Sequence, residues 1–432
     1  GLIIVMVIFS ILSLSLLPMF STSTLHQVRA DQALRAHYLA ESGYRYAASE
    51  FLHGGTGEDR DEVLSNIHNK EYVFNGNKSA FLKTASTART IMHKFAGLIG
   101  IFLLSGCFWS SQTPKTIRIL GETMGTTYRV TVVDAPDALT QENLSEGITA
   151  TLATVNAKMS NWDPASEVSQ FNKRQSTVIA QISEAFVHVL AAAHDIHLQS
   201  DGKFDITLAP LINLWGFGPK TPDAAVPSDK DIETARNLVG QYRYLTLDAT
   251  ARTLQKHQAG ISVNLSAIAK GYGVDAVADY LRENGIERYL VDIGGDLVTA
   301  GLNPEGKAWS IGIEKPDAAK STVQTILNLS DQAMATSGDY RNFNEYDGVR
   351  YSHIIDPTTG RPILHRTASV TVLADTAMAA DGWATAMLVL GDQVGMSLAE
   401  KYGIAVLFIT KGENLFTTST SSLFELQTKN DS

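Results

Sequence analysis

A hydrophobic run that ends in the chain's single cysteine bounds what can fold here. Met92-His93-Lys94 makes a short positive start, Phe95 to Leu104 is apolar, and Leu104-Ser105-Gly106-Cys107 follows. The apolar run falls short of the ~20 residues that span a bilayer. Charge, apolar stretch and small residues stand in the order of a secretory signal. The ending has the form of a lipobox, in which small residues admit a peptidase and Cys107 takes the lipid. The bland alternative is a buried hydrophobic segment. With one cysteine, no disulfide framework and no cysteine metal cluster can form within the chain. The globular fold is therefore expected beyond Cys107, and residues 1–106 are set aside from it.

Upstream, Gly1 to Phe20 is almost wholly apolar and about long enough to cross a membrane. Gln27 to Leu52 is polar, with Leu34, Tyr38, Leu39, Tyr44 and Tyr46 at helix-like intervals. Together with Tyr38-Leu39-Ala40-Glu41-Ser42-Gly43, this resembles the N-terminal stalk of type IV pilin-like proteins. The acidic residue usual near the start of that apolar stretch is absent. Gly54 to Thr90 is polar and turn-rich and reads as a linker. A signal peptide acts at a chain start. Met92 is thus expected to be the natural start, with residues 1–91 drawn from a neighbouring reading frame or a fusion.

Composition is that of a globular protein, and the net charge of -10 lacks the basic footprint that nucleic-acid binding leaves. After a tether at Ser110 to Lys115, Thr116–Leu120 and Thr127–Asp134 read as strands. Leu144, Ile148, Leu152, Val155 and Met159 mark an amphipathic helix. Trp162-Asp163-Pro164 ends it. Phe186, Val189, Leu190, Ala193 and Ile196 mark a second helix. Strands are expected at Tyr242–Leu247, Thr253–Lys256 and Ile261–Leu265, and a helix follows to about Leu281. Further strands are expected at Tyr289–Ile293, Leu297–Ala300, Trp309–Glu314, Val323–Leu329, Met334–Ser337 and Arg350–Ile355. The last part reads as strand Ser369–Leu373, helices Ala377–Leu390 and Val394–Tyr402, and strands Ile404–Thr410 and Asn414–Thr418.

Tyr351 to Pro362 concentrates the polar chemistry. A short strand runs into Asp356-Pro357-Thr358-Thr359-Gly360, which reads as a tight turn because Pro pre-sets φ and Gly supplies positive φ. His353 and Asp356 then sit on stiff backbone beside a loop. Asp381 and Thr385 are four apart on a helix and so share one face. Two such oxygens suit a hard cation such as Mg²⁺, although an Asp/Thr pair is more often a solvated helix face. Lys270 at a strand-to-helix turn suits phosphate, or is a surface lysine. Gly294-Gly295 permits close approach to a ligand, or is a simple turn. Trp162, Phe204 and Trp215 are ring-stacking candidates, or core aromatics. No Gly-x-Gly-x-x-Gly or Walker motif occurs, and the lack of Gly-x-Ser-x-Gly and His-Glu-x-x-His argues against the commonest hydrolase types.

The motifs mean more in series. Met124-Gly125-Thr126, Phe204-Asp205-x-Thr207 and Trp215-Gly216-Phe217-Gly218 come first, then Ala267-Ile268-Ala269-Lys270-Gly271-Tyr272 and Gly294-Gly295-Asp296. Thr336-Ser337-Gly338-Asp339-Tyr340, His353-x-Ile355-Asp356-Pro357-x-Thr359-Gly360 and Ala380-Asp381-x-x-Ala384-Thr385 complete the order. This series closely resembles the ApbE family, the FAD:protein FMN transferases, from about Gly121 to Phe424.

The resemblance implies an α+β fold over residues 116–426, in two lobes of mixed and antiparallel sheets flanked by helices, with FAD in the cleft. It implies that FMN passes from FAD, with Mg²⁺, to a Thr or Ser hydroxyl of client flavoproteins such as subunits of membrane redox complexes. Met124, Trp162, Lys203, Phe204, Asp205, Asn264, Lys270 and Ile355 would line FAD. Ala267 (through its carbonyl), Asp381 and Thr385 would hold the metal, and His353 would be the catalytic group. Asn264 replaces the Asp common in the family, and Ala384 stands where some members carry a carboxylate. A lipid on Cys107 would tether the protein to the cell inner membrane, facing the periplasm. Two other functions remain open: an FAD pyrophosphatase releasing FMN and AMP, and a flavin-carrying lipoprotein without chemistry.

Overall fold

The computed structural model describes residues 114–218, 226–316, 323–339, 343–346, 348–413 and 415–429. The expected apolar span, the linker, the signal run with Cys107, the first half of the Pro222–Asp229 loop and Tyr340 lie outside them. Among the described residues no helix is long and apolar enough to cross a membrane.

One sheet organises the described chain. Its strands are Thr116–Thr123 (β1), Thr126–Val133 (β2), Arg288–Ile293 (β3), Asp296–Ala300 (β4), Ala333–Gly338 (β5), Thr367–Ala374 (β6), Ala405–Lys411 (β7) and Phe416–Thr420 (β8). They lie side by side in chain order, and every pairing is antiparallel. The β1–β2 strands run further than expected because Met124 and Gly125 close them as a two-residue turn, with φ of 51° and 74°. Positive φ at both central residues matches the twist of a hairpin. Gly294 and Gly295 close β3 onto β4 in the same way, with φ of 59° and 95°. β6 is buried along seven of its eight residues, as a central strand covered on both faces must be.

Helices Gln141–Met159 (α1), Glu184–Gln199 (α2), Ala269–Glu283 (α3) and Ala377–Tyr402 (α4) supply the helical layer. Thr140 and Asn143 form a capping box at the start of α1. Its buried side chains are the five expected, Leu144 to Met159. Leu144, Ile148 and Leu152, with Val274, Val277 and Leu281 of α3, pack on Val130, Val132, Val291 and Ile293 of the sheet. Alternating strand residues and every third or fourth helix residue thus meet in one apolar layer. α4 covers the same sheet further along, through Met387 and Leu388 against Val370, Val372 and Phe408. On the opposite face, the hairpin of strands Trp309–Glu314 and Val323–Leu329 packs with Phe424 of the C-terminal helix against Leu297, Met334 and Leu407.

Four expectations need correction. Ile261–Leu265 is not a strand. Its backbone pairs with side-chain amides instead: Asn161 Nδ2 and Asn172 Nδ2 both donate to Val263 O, at 2.8 and 2.7 Å. Asn172 Oδ1 accepts from Val263 N at 2.7 Å and Asn161 Oδ1 from Leu265 N at 2.9 Å. Tyr242–Leu247 begins as a helical turn, Gln241–Tyr244, before strand Leu245–Asp248. The strand expected over Arg350–Ile355 is broken at His353 into Val349–Ser352 and Ile355–Asp356. The two helices expected across 377–402 are both present and meet at Gly391, whose φ of 73° and ψ of 171° no helix interior allows; α4 names the pair. Helix Ser422–Lys429 was not expected; Phe424, buried among Leu407 and Ile409, holds it down.

Candidate active site

Two helix starts meet at the site, and each is capped from the other. The residue that begins α3, Ile268, carries no side-chain cap. The buried N–H of Gly271, which has no helical partner, is taken instead by Asp381 Oδ2 of α4, at 2.9 Å. Asp275 of α3 returns the favour: its two oxygens accept from Ala377 N and Met378 N, each at 2.8 Å. Orphan N–H groups at a helix start are satisfied in this way, and the positive ends of both dipoles point to one place. Gly271 makes the crossing possible, since a Cβ there would lie 2.2 Å from Ala377 O.

A cavity of about 1050 Å³ opens at this junction. Lys203, Phe204, Asp205, Asn264, Ala267, Lys270, His353, Ile355, Asp381 and Thr385 all border it. Residues from widely separated parts of the chain, expected to act together, therefore face one space. Met124 and Trp162 are not among its bordering residues. Met124 sits at the β1–β2 turn and packs toward α3, its Cε 2.7 Å from where a Cβ on Gly273 would be. Trp162 is 66% exposed in the turn after α1. Trp215 is core, 1% exposed, its indole N–H donating to Gly360 O at 2.9 Å.

The electrostatics are concentrated in three groups. Lys270 is ion-paired with Asp296, which is 1% exposed. Burial, reinforced by the nearby Asp381 charge, pushes the Asp296 carboxyl up to about 7 against the pull of Lys270. Burial also raises Asp381, 5% exposed, against the Lys270 charge and the Gly271 N–H. Burial alone would lower Lys270, but Asp296 and Asp381 hold it above the ordinary lysine value. Two buried carboxylates thus share one ammonium. Such a pocket has uncompensated negative character that a cation relieves.

The donor set fits Mg²⁺. Asp381 offers a carboxylate, Thr385 a hydroxyl 3.2 Å from Ser337 Oγ, and Ala267 a backbone carbonyl at the same cavity. These are hard oxygen donors, few enough to leave room for substrate phosphate. Among the described residues no group of three His, Cys, Asp or Glu is arranged to hold a metal. A metal here relies on hydroxyl and carbonyl oxygens beside one carboxylate.

The rim that carries His353 is braced from below. The Pro357–Gly360 turn joins Ile355–Asp356 to Arg361–Pro362, as the Pro and Gly positions lead one to expect. Lys203 Nζ donates to both Asp356 oxygens, at 2.9 and 3.1 Å, and to Thr358 Oγ1 at 2.9 Å. Gly360 has φ of 67°, and a Cβ there would meet Ile232 at 2.9 Å. The Phe217 ring stands edge-on to His353, centroids 6.2 Å apart. Asp205 serves its own loop, its oxygens accepting from Thr207 N at 2.7 Å, the Thr207 hydroxyl, and Gln241 N at 3.0 Å. Asn264 Oδ1 accepts from Ser266 N at 2.9 Å, turning the chain toward Ala267.

Sequence reasoning named Asp296 within a motif but gave it no task, and it passed over Asp275, Asn161 and Asn172. The signal for Asp296 was present, an acid directly after Gly-Gly at a strand start. Asp275 had none, because its partners lie 102 and 103 residues on.

Known proteins share this architecture. The ApbE family model matches residues 124–408. The FAD:protein FMN transferase of Vibrio cholerae is 43% identical over 328 residues, 76% of this chain and 96% of that one. The Haemophilus influenzae protein of the same name is 40% identical over 339 residues, covering 77% and 98%. Among solved structures, the flavin transferase ApbE from Vibrio cholerae superposes with a TM-score of 0.68 at 43% identity, over 72% of this chain and 99% of that one. The apo Pseudomonas stutzeri flavinyl transferase ApbE gives 0.67 at 38% identity, over 74% and 98%. In sequence, coverage and α+β fold alike, the chain belongs to the ApbE family.

Proposed function

We propose that this protein is a transferase that moves FMN from FAD to a Thr or Ser hydroxyl of client flavoproteins, with Mg²⁺, releasing AMP. The observation that carries the reading is the single cavity bordered by His353, Lys270, Asp381 and Thr385. The relatives' name, FAD:protein FMN transferase, supports it.

The chemistry follows from the residues. The acceptor oxygen attacks the phosphorus on the FMN side of the pyrophosphate. The new O–P bond forms as the bridging bond to AMP breaks. A hydroxyl is a poor nucleophile at its free pKa, so His353 takes its proton as general base. Lys270 and the paired starts of α3 and α4 favour negative charge on the phosphate oxygens. Mg²⁺, when bound by Asp381, Thr385 and the Ala267 carbonyl, neutralises charge on the pyrophosphate. Met124 and Trp162 stand outside the cavity border, so Lys203, Phe204, Asp205, Asn264, Lys270 and Ile355 carry the proposed flavin dinucleotide contacts. A lipid on Cys107 holds the enzyme at the periplasmic face of the inner membrane, where clients in membrane redox complexes are reached.

The test is direct. Purified protein, FAD, Mg²⁺ and a client flavoprotein domain are incubated, and the client is examined by in-gel flavin fluorescence and intact mass. A covalent gain of FMN less water is expected. FMN and AMP without adduct would point to a pyrophosphatase, and intact FAD to a carrier.

A further inference from the structure

The cavity does not stop at the carboxylates. It continues past the Gly294–Gly295 turn onto the sheet face turned away from α1 and α3. Its floor there is one cross-strand row. Leu120 pairs with Arg129, Arg129 with Asp292, Asp292 with Leu297 and Leu297 with Met334, across β1 to β5. All five border the cavity.

The wall of this groove is a strand edge. Every residue from Ser310 to Glu314 borders the cavity, while none of the partner strand Val323–Leu329 does. Successive side chains on a strand point to opposite faces. Ile311 and Ile313 are indeed buried, and Ser310 and Gly312 exposed. Five consecutive residues can border one space only along the edge. From Ser310 to Ile313 that edge has no neighbouring strand among the described residues. An unpaired edge is a template for another extended chain. The groove is also uncovered: Leu120 is 71% exposed, and Arg129 is exposed with no ion-pair partner among the described residues. At its inner end Gly295 would have nothing within 4 Å of a Cβ. A second backbone can therefore approach closely there.

We infer that this groove receives the client's acceptor segment as an extended polypeptide, added as a strand to the Trp309–Glu314 edge over the Leu120–Met334 row. The inference rests on the FMN-transfer reading. Continuity selects the occupant: the groove runs into the space bordered by His353, and a protein hydroxyl is the second reactant that must enter it. An edge reads backbone groups and alternate side chains. It thus admits different clients, provided each offers its Thr or Ser on an extended segment.

The test uses the full chain with FAD, Mg²⁺ and a pool of nine-residue peptides with a fixed central Thr and randomised flanks. The best acceptor is remade with one backbone N-methyl group at each position in turn. The expected result is alternation: methylation at every second residue raises KM about tenfold or more, with kcat kept at saturation, and the intervening positions have little effect. Leu120→Glu and Arg129→Glu should raise peptide KM while the affinity for FAD, read by flavin fluorescence, stays the same. A photocrosslinker at exposed Ser310 should label the peptide. Equal effects at all positions, or crosslinks to residues 1–113 of the same chain or to a second copy, would overturn the groove. If the pool gives no adduct but a folded flavoprotein client is flavinylated, the groove falls and the transfer reading stands. If neither is flavinylated, both fall.

Discussion

Asp381 Oδ2 holds the Gly271 N–H at 2.9 Å, so the proposed metal ligand is also the cap of the neighbouring helix. The two tasks separate by substitution. Asp381→Ala removes both and should cost about 1 kcal/mol of stability as a lost cap. Asp381→Asn keeps an acceptor for Gly271 and should melt closer to the parent. Both should slow FMN transfer roughly 100-fold or more, since a metal's charge stabilisation is worth several kcal/mol. Thermal melts beside adduct rates check this. A fully active Asp381→Asn would remove the metal assignment.

Gly271 and Gly382 make a contrasting pair. A Cβ at 271 would meet the Ala377 carbonyl oxygen at 2.2 Å, whereas one at 382 would meet the Cδ1 tip of Ile196 at 2.5 Å. Backbone cannot step aside and a side-chain end can. Gly271→Ala should therefore cost about 3 kcal/mol or more, and Gly382→Ala about 1 kcal/mol. Denaturant midpoints of the two variants decide the matter, and equal midpoints would contradict the close helix crossing.

The buried carboxyls set a pH dependence with a definite sign. Burial raises Asp296 to about 7 and Asp275 to about 6, both above the ordinary value of 3.8. The folded chain keeps protons that the unfolded chain has released. Without metal, stability should be highest near pH 4 and fall as pH climbs through about 6 to 7. Asp275→Asn should flatten the lower part of that slope. Burial also raises the proposed ligand Asp381, so protons compete with Mg²⁺ there and its affinity should rise with pH. Denaturation and Mg²⁺ titration at pH 5 and pH 8 would expose the opposite trend.

Lys203 and Asp356 join positions 153 residues apart. Lys203→Met should lower stability by only about 1 kcal/mol, because the pair is part-exposed. It should slow transfer about tenfold, because the turn beneath His353 and Ile355 loses its brace. Kinetics at saturating FAD would check the split. A variant slow only at low FAD would leave Lys203 its proposed FAD contact and remove the bracing role.

Periodicity made the layers legible. The five core positions of α1 and the alternation of β3 were visible because a helix or strand buries the same side at each repeat. The turn at Asp356–Gly360 was visible because Pro and Gly act locally. Ile261–Leu265 misled because its apolar alternation was real while its hydrogen-bond partners, Asn161 and Asn172, are amides from distant segments. Ten of the residues singled out from the motif order border one cavity. It could not foresee that Trp162 faces solvent, since a lone aromatic beside a Pro turn has no period to orient it.

The amide clamp on Val263 and Leu265 joins residues 91 to 104 positions apart. Local hairpins and helices close early, and contacts across such separations close late. The sheet itself is closed over a still longer span, since β2 meets β3 through partners 155 to 165 positions apart. The border that carries Asn264, Ala267 and Lys270 is thus tied down by amide side chains and not by a strand ladder, and loosening Asn161 or Asn172 would free that border while leaving every strand of the sheet paired.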